Sequence, residues 1–402
     1  MSTERLYYTD SYTLAFEARV IEQAVLNGQP VVILDRSYFY PESGGQPYDT
    51  GRLNDVLVVN VQVRDADQAV LHFTERPLES AFVKGLIDGG RRLDLTRHHS
   101  AQHILSAALE KAAGALTVSV HMSTESMIIA VNRPPLTDPQ LAAVETLAND
   151  IVLADKSIRA WFPEPSELAS LNLRKLPQVA GKLRVVDVAE GFDVTACGGT
   201  HVARTGEIGL IKITRQEKFK NGARLEFKAA SRALDDFAQK NGIITMLAAE
   251  LTTSYTEIID NLRRLRDENK ALRAELKTYR EEMLIREAAE LAAGAPVMRG
   301  MHVVRQVLSG RSVEDAKTLV AALVAAGGIL ALVGIPGEKA QLIFARSEDV
   351  SVDVVPLLKA ALAELGEGRG GGRPNSAQGG GVPADAGRVE QSLDVALNLL
   401  QG

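Results

Sequence analysis

Over residues 1–90 the apolar positions come in short β-branched and aromatic runs such as VVILDRSYFY and LVVNVQVRD, separated by turn signals, above all PESGGQPYDTG from Pro41 to Gly51. This pattern predicts a small barrel or curled sheet. From residue 91 to 235 the pattern is mixed and predicts an α+β domain. LTRHHSAQHILSAALEKAAG is rich in Leu and Ala and stops at Gly114, as a helix does, and Pro139 to Asp155 forms a second helix. TVSVHMSTESMIIAV is a strand pair, and LRVVDV and GLIKITRQ are strands on either side of CGGTH.

Residues 236–293 carry a different period. Leu251, Tyr255, Ile258, Leu262, Leu265, Asn269, Leu272, Leu276, Tyr279 and Met283 alternate in steps of four and three. That is an a/d seam kept for more than four heptads, with Asn269 as a polar register residue. It predicts a coiled coil or long helical hairpin, whose partner strand comes either from the same chain or from a second copy. Residues 294–402 alternate strand and helix: HVVRQVL, SVEDAKTLVAALVAAGG, ILALVGIP, QLIFAR, VDVVPLLKAALAELG and a final VEQSLDVALNLLQG, with GEGRGGGRPNSAQGGG between the last two helices. A glycine-rich α/β domain with a parallel or mixed sheet is expected.

Composition narrows the class. A chain of 402 residues calls for two or three domains, and 46% hydrophobic with 24% charged residues is the balance of soluble globular proteins. The single cysteine excludes an internal disulfide framework. The N-terminus lacks a basic stretch followed by an apolar run, and no run of about 18 apolar residues occurs, so no membrane partner and a cytoplasmic location are expected. The net charge of −6 gives no global sign of a polyanion partner, yet Arg174 to Arg224 holds ten Lys/Arg against five Asp/Glu. Such a local excess fits a phosphate-binding surface, or a solvated face that happens to be basic.

Two pairs of residues carry candidate chemistry. His99 and His103 lie four apart on the first helix, so both imidazoles share one face, whereas His98 is rotated away. Cys197 and His201 flank two glycines in CGGTH, a loop able to fold its ends around one point. One thiolate with imidazoles is a zinc-type ligand set, and one Zn2+ per chain is expected. Each pair alone also fits an exposed histidine pair or a buried free cysteine. Four protein ligands describe a closed structural site, whereas a hydrolytic zinc keeps a position open.

The segments RRLDLTRHHSAQHILSAAL, CGGTHVARTGEIGLIKI and EKFKNGARLEF resemble the editing domain of alanyl-tRNA synthetases and their freestanding relatives. FYPESGGQPYDTG is similar to the glycine motif of that family's barrel, and LRKLPQVAGKLRVVDVAEGFD fits the stretch leading into the cysteine. The seam region and GRGGGRPNSAQGGG resemble the C-terminal domain that these synthetases share with DHH-type phosphoesterases. With no aminoacylation domain ahead of the barrel, the implied family is the long form of the freestanding alanyl-tRNA editing proteins. The implied fold is an N-terminal β-barrel, an α+β zinc-containing editing domain, a coiled-coil linker and a C-terminal α/β domain for tRNA binding or dimerisation.

What the resemblance implies is an aminoacyl-tRNA deacylase acting on serine or glycine misattached to tRNA-Ala, with His99, His103, Cys197 and His201 as metal ligands. Gln102, Ser100 and Asp193 are the catalytic candidates. Gln102 departs from the family, many of whose members have Thr before the second helix histidine. Gly44, Gly45, Gln46, Lys218, Lys220, Arg224, Gly371, Gly372 and Arg373 are candidates for holding substrate or tRNA, with Lys212 and Arg215 on the same basic hairpin. A homodimer through the coiled coil or the C-terminal domain is the further partner. The alternative is a zinc-containing tRNA-binding or dimerisation protein without deacylase activity.

Overall fold

The alternating run at the start of the chain closes on itself. The computed structural model describes residues 3–123, 125–174, 182–366 and 369–401, and the chain divides into two compact units, Met1–Leu247 and Ala248–Gly402. In the first unit, strands β1 (Ala15–Leu26), β2 (Gln29–Leu34), β3 (Gly51–Leu53), β4 (Val56–Val63), β5 (Val70–Thr74) and β6 (Phe82–Ile87) form a closed barrel in the order β1-β2-β5-β4-β3-β6. Pairing of β6 with β1 completes it. Strict alternation decides which side chains point inward. In β6, Val83 and Ile87 are buried while Phe82, Lys84 and Leu86 face out.

Helix α1 (Gly89–Ala113) follows at once, its first turn capped by the Asp88 carboxylate, which accepts from the Arg91 N–H, and its end marked by Gly114 at φ 60°. Every residue from His98 to Leu109 is buried, so α1 runs through the interior rather than over the surface. Around it lie a four-stranded antiparallel sheet, a second helix and a small three-stranded sheet. The first sheet contains β7 (Thr117–Met122), β8 (Met127–Val131), β12 (Ile211–Phe219) and β13 (Gly222–Ala229) in the order β12-β13-β8-β7. Helix α2 (Asp138–Leu153) is opened by a Thr137/Gln140 capping box. The small sheet is β9 (Ile158–Trp161), β10 (Val185–Val188) and β11 (Asp193–Ala196). Leu95, Ile104 and Leu105 of α1, Val144 and Ala148 of α2, and Ile129, Leu225 and Phe227 of the sheet form one core.

The barrel and α1 are joined by a buried ion pair. Arg92 and Asp49 have side chains 2% and 0% exposed. The guanidinium Nε donates to both Asp49 oxygens at 3.1 and 3.0 Å, and its other nitrogens reach the Ser11 and Tyr38 carbonyls. Asp49 in turn accepts from the Tyr40 N–H, which fixes the loop next to the glycine motif.

The unit closes with helix α3 (Ala230–Glu250). The heptad seam predicted over 251–283 is interrupted near its start: Thr252 has φ 49°, and Tyr255 lies in a short 3-10 turn before helix α4 (Ile258–Ala293). Leu251 and Tyr255 therefore stand outside the long helix. Along α4 the seam is uncovered, with Leu262 46%, Leu272 63% and Met283 70% exposed.

The second unit is built on a mixed six-stranded sheet, β14 (Val297–Met298), β15 (Met301–Val307), β16 (Ile329–Ile335), β17 (Gln341–Arg346), β18 (Arg369–Arg373) and β19 (Ser376–Gly380), ordered β14-β15-β16-β17-β19-β18. Only β15 and β16 run parallel. The end of α4, through Leu284 and Ala288, and α5 (Val313–Ala325) cover one face. Helices α6 (Val354–Leu365) and α7 (Ala386–Gln401) cover the other. The described part of the glycine-rich stretch is the β18–β19 hairpin. Gly370 and Gly379 face each other so closely that a Cβ on either would come within 2.7 Å of the other's Cα and of Leu362 Cδ1. Among the described residues no helix is long and apolar enough to cross a membrane.

Replacing Asp49 by Ala leaves the Arg92 guanidinium buried without its counter-charge. The expected cost is about 3–5 kcal/mol, read as a lower urea midpoint for the barrel-containing unit.

Candidate metal centre

Helix α1 brings His99 and His103 to one face, and the loop after β11 brings Cys197 and His201 against them. One ligand atom from each of these four residues lies within 4.8 Å of the other three. The Nε2 atoms of His99 and His201 are each 3.4 Å from Cys197 Sγ. A tetrahedral zinc with ordinary Zn–S and Zn–N bonds has an S···N edge of about 3.5 Å.

The outward ring nitrogens show which face of each imidazole is available. His103 Nδ1 donates to Asp193 Oδ2 at 2.8 Å. His99 Nδ1 donates to the Gln46 carbonyl oxygen at 2.6 Å. Ser100 Oγ gives its own proton to the Thr96 carbonyl, so at 3.2 Å it accepts from His201 Nδ1. All three rings thus carry the Nδ1 proton, and the Nε2 lone pairs of His99 and His201 face the sulfur. Metal-bound histidines have this arrangement, each fixed by a second hydrogen bond at the far nitrogen. The donor set, its spacing and its tautomers fit one zinc ion.

The holders are themselves held. Gln46 is fully buried, donates to Thr200 Oγ1 at 2.8 Å and accepts from the Thr200 N–H at 3.1 Å. Ser100 also accepts from the Val202 N–H. Arg174 clasps Asp193 through Nε and Nη2. Arg184 donates to the carbonyls of Cys197 and Gly199, which fixes the loop. Of the two loop glycines only Gly199 is demanded by space: a Cβ there would stand 2.1 Å from His99 Cε1, whereas at Gly198 the nearest atom is 3.7 Å away.

Electrostatics follow from this crowding. Burial opposes ionisation of Cys197, but the charges of His99, His201 and His103 outweigh it and draw the thiol well below its usual value. Burial likewise opposes protonation of His103, yet the Cys197 thiolate and Asp193 push it up to about 9. Burial and then His99 bring His201 down to about 3. Asp193, despite its burial, is held ionised by His103 and Arg174. The shifts of Cys197 and His103 thus favour a thiolate beside an imidazolium.

The centre opens on a cavity of about 300 Å³ lined by His99, His103, Cys197, Gln102, Thr117 and Arg174, with Gly44 at its edge. Gln102 is placed as a cavity group. Its amide nitrogen donates to Ser106 Oγ at 2.8 Å, which leaves the carbonyl oxygen as the free acceptor. Of the other catalytic candidates, Ser100 contacts His201 Nδ1 and Asp193 contacts His103 Nδ1. Gln46, a candidate for holding substrate or tRNA, is buried against His99. Gly44 and Gly45 remain exposed at the turn.

The basic hairpin is only partly available. Lys212 pairs with Glu145 and Arg215 with Glu217. Arg224 stacks its guanidinium 3.3 Å from the Phe219 ring centroid. Lys218 and Lys220 are exposed at the hairpin end. In register, Lys218 pairs with Ala223, Ala223 with Val131 and Val131 with Thr117, so three strand spacings, about 14 Å, separate Lys218 from the cavity wall. Gly371, Gly372 and Arg373 lie on the exposed edge strand of the other unit. Residues 175–181 of the stretch leading into the cysteine, and 367–368 of the glycine-rich stretch, lie outside the described residues. Arg174, Arg184 and Thr200 were missed in the sequence; a charged residue abutting the VVDV strand run was the one signal for Arg184.

Parts of the first unit match families of aminoacyl-tRNA synthetases. Residues 183–225 match the family described as the threonyl and alanyl tRNA synthetase second additional domain, and residues 2–87 match the class II (A) tRNA synthetases. The particular relatives are alanine–tRNA ligases. That of Methanobrevibacter smithii is 30% identical over 416 residues, covering 99% of this chain and 46% of that protein. That of Halobacterium salinarum is 34% identical over 415 residues, covering 99% and 44%. The C-Ala domain from Aquifex aeolicus alanyl-tRNA synthetase matches 27% of this chain over 98% of its own, at 20% identity and a TM-score of 0.25. The chain resembles alanyl-tRNA synthetases along its length, and it spans under half the length of these curated relatives.

Two outcomes test the centre. Gly199→Ala should abolish stoichiometric zinc binding while Gly198→Ala retains it, as measured by metal analysis after dialysis. With the Cys197 thiol drawn well below its usual value and His103 pushed up to about 9, zinc binding near pH 7 should release about one proton, chiefly from His103. Calorimetry in buffers of different ionisation enthalpy reads that number. Apparent affinity should rise by about one log unit per pH unit up to about 9 and then level off.

Proposed function

We propose that this chain hydrolyses the ester linking a wrong amino acid, serine or glycine, to tRNA-Ala, with one zinc held by His99, His103, Cys197 and His201. The observation that carries the reading is the juxtaposition of that ligand set with a small cavity lined by Gln102, whose amide nitrogen is tied to Ser106. Zinc bound there would supply Lewis-acid polarisation beside the ester. The similarity of the whole chain to alanine–tRNA ligases supports tRNA-Ala as the carrier.

The chain's own groups supply selection. Ser106 Oγ accepts from the Gln102 amide and from Thr117 Oγ1 at 2.9 Å, so the amide is held in one orientation. A seryl hydroxyl would donate to the Gln102 carbonyl oxygen, whereas an alanyl methyl would leave that oxygen unpaired, at about 1–3 kcal/mol. Lys218, Lys220 and Arg224 offer charge for acceptor-end phosphates, and Gly44 and Gly45 let backbone approach the substrate at the cavity edge. Gly371, Gly372 and Arg373 offer an edge strand with little side chain for tRNA. The uncovered seam of α4 supports a coiled-coil homodimer.

A second reading has one observation in its favour: four donors saturate a tetrahedral zinc, as in structural sites. On that reading the protein binds tRNA or itself without hydrolysis. Purified protein with one zinc per chain should deacylate Ser-tRNA-Ala and spare Ala-tRNA-Ala. An intact seryl ester would refute the enzymatic reading. Cys197→Ala should lose metal and deacylation together. Gln102→Ala should lower kcat/KM for Ser-tRNA-Ala roughly 10- to 100-fold with hydrolysis of Ala-tRNA-Ala unchanged. Light scattering should give twice 43.3 kDa, and Leu272→Asp should return the monomer mass.

A further inference from the structure

We infer that Arg174 is a positioning residue of the metal centre, acting through Asp193 to fix the His103 ring. The three imidazoles are held in unlike ways. The holders of His99 and His201 are neutral groups, Gln46 and Ser100, each tied to backbone: Gln46 by the Thr200 N–H, Ser100 by the Val202 N–H and the Thr96 carbonyl. The holder of His103 is a carboxylate with no exposed surface.

A buried carboxylate gripped only by one imidazole turns freely about its last torsion and lacks a permanent counter-charge. Arg174 supplies both missing constraints. Nε donates to Asp193 Oδ1 and Nη2 to Oδ2 at 3.2 Å, a two-point fork that sets the carboxylate plane. Oδ2 is also the oxygen that accepts from His103 Nδ1 at 2.8 Å. The Arg174 backbone is itself fixed, donating to the Val194 carbonyl at 2.8 Å, one residue from Asp193. Among the described residues no other arginine or lysine contacts this carboxylate. The guanidinium is 17% exposed and lines the cavity, so the fork borders the space the substrate enters.

The inference rests on the metal reading of the site and not on the ester reading. Its test therefore reads metal affinity, with cobalt(II) and zinc as probes against a competing chelator. Arg174→Ala should weaken binding about 10- to 100-fold and alter the cobalt(II) visible bands, because the His103 ring is no longer fixed. Arg174→Lys, which keeps charge but not the fork, should lie between wild type and Ala. In an Asp193→Asn background, Arg174→Ala should add at most about twofold, since its route to the metal is already cut. Wild-type affinity and spectrum in Arg174→Ala, or losses that add in full in the double variant, overturn the inference alone. Failure of the wild-type chain to bind either metal overturns it together with the site.

Discussion

Three Nδ1 protons each need a buried acceptor, and the first unit is organised around meeting that need. Gln46 comes from the turn after the barrel's second strand, Ser100 from the interior helix and Asp193 from the start of a strand in the small sheet. Each acceptor fixes a tautomer and a ring tilt, and only with all three in place do the lone pairs meet at Cys197. Barrel, helix and loop therefore share one polar network inside an otherwise apolar core. An error in any of the three would leave a buried polar group unpaired as well as displace a ligand. The Arg92–Asp49 pair serves the same end at longer range, because it ties the first turns of the interior helix to the loop from which the Gln46 turn departs.

The clustering of the four candidate ligands was legible because spacing alone suggests it. His99 and His103 share a helix face at four residues, and glycines in CGGTH announce a loop that brings Cys197 and His201 together. Their holders were not legible. Gln46 follows two glycines in a turn, where a polar residue ordinarily meets solvent. Only the fold, 53 residues of chain later, puts His99 over it. Asp193 stood out only as a candidate catalytic group. Its contact with His103 depends on Arg174 and His103 converging on it across 19 and 90 residues. Long-range polar pairing leaves no periodic trace, whereas apolar burial does, and so the barrel strands and α1 could be read while the network could not.

Two periodic or compositional signals turned out differently for local reasons. The heptad pattern runs smoothly through residues 251–258, but the backbone at Thr252 is left-handed and breaks the helix, a departure that apolar spacing does not encode. GRGGGRPNSAQGGG has the composition of a flexible linker, yet its described residues form a paired edge hairpin. There Gly370 and Gly379 are small because Leu362 and the opposite strand leave no room for a Cβ. In both cases tertiary contacts, or one backbone angle, decide what composition leaves open.

The closed ligand set and the hydrolytic reading are reconciled by which ligands face the cavity. His99, His103 and Cys197 line it, and His201 does not. The four donors therefore present one triangular face to incoming substrate, while His201 stands behind with its far nitrogen on Ser100. A reacting group can meet the centre only through that face, and Gln102 sits beside it, one residue before His103. Under the proposed function, chemistry and selection would share a wall of α1: the helix carrying two candidate ligands would also carry the acceptor proposed to tell a seryl hydroxyl from an alanyl methyl. A purely structural site has no need for its ligand face to border a cavity, nor for an amide whose nitrogen is tied so that its oxygen is free.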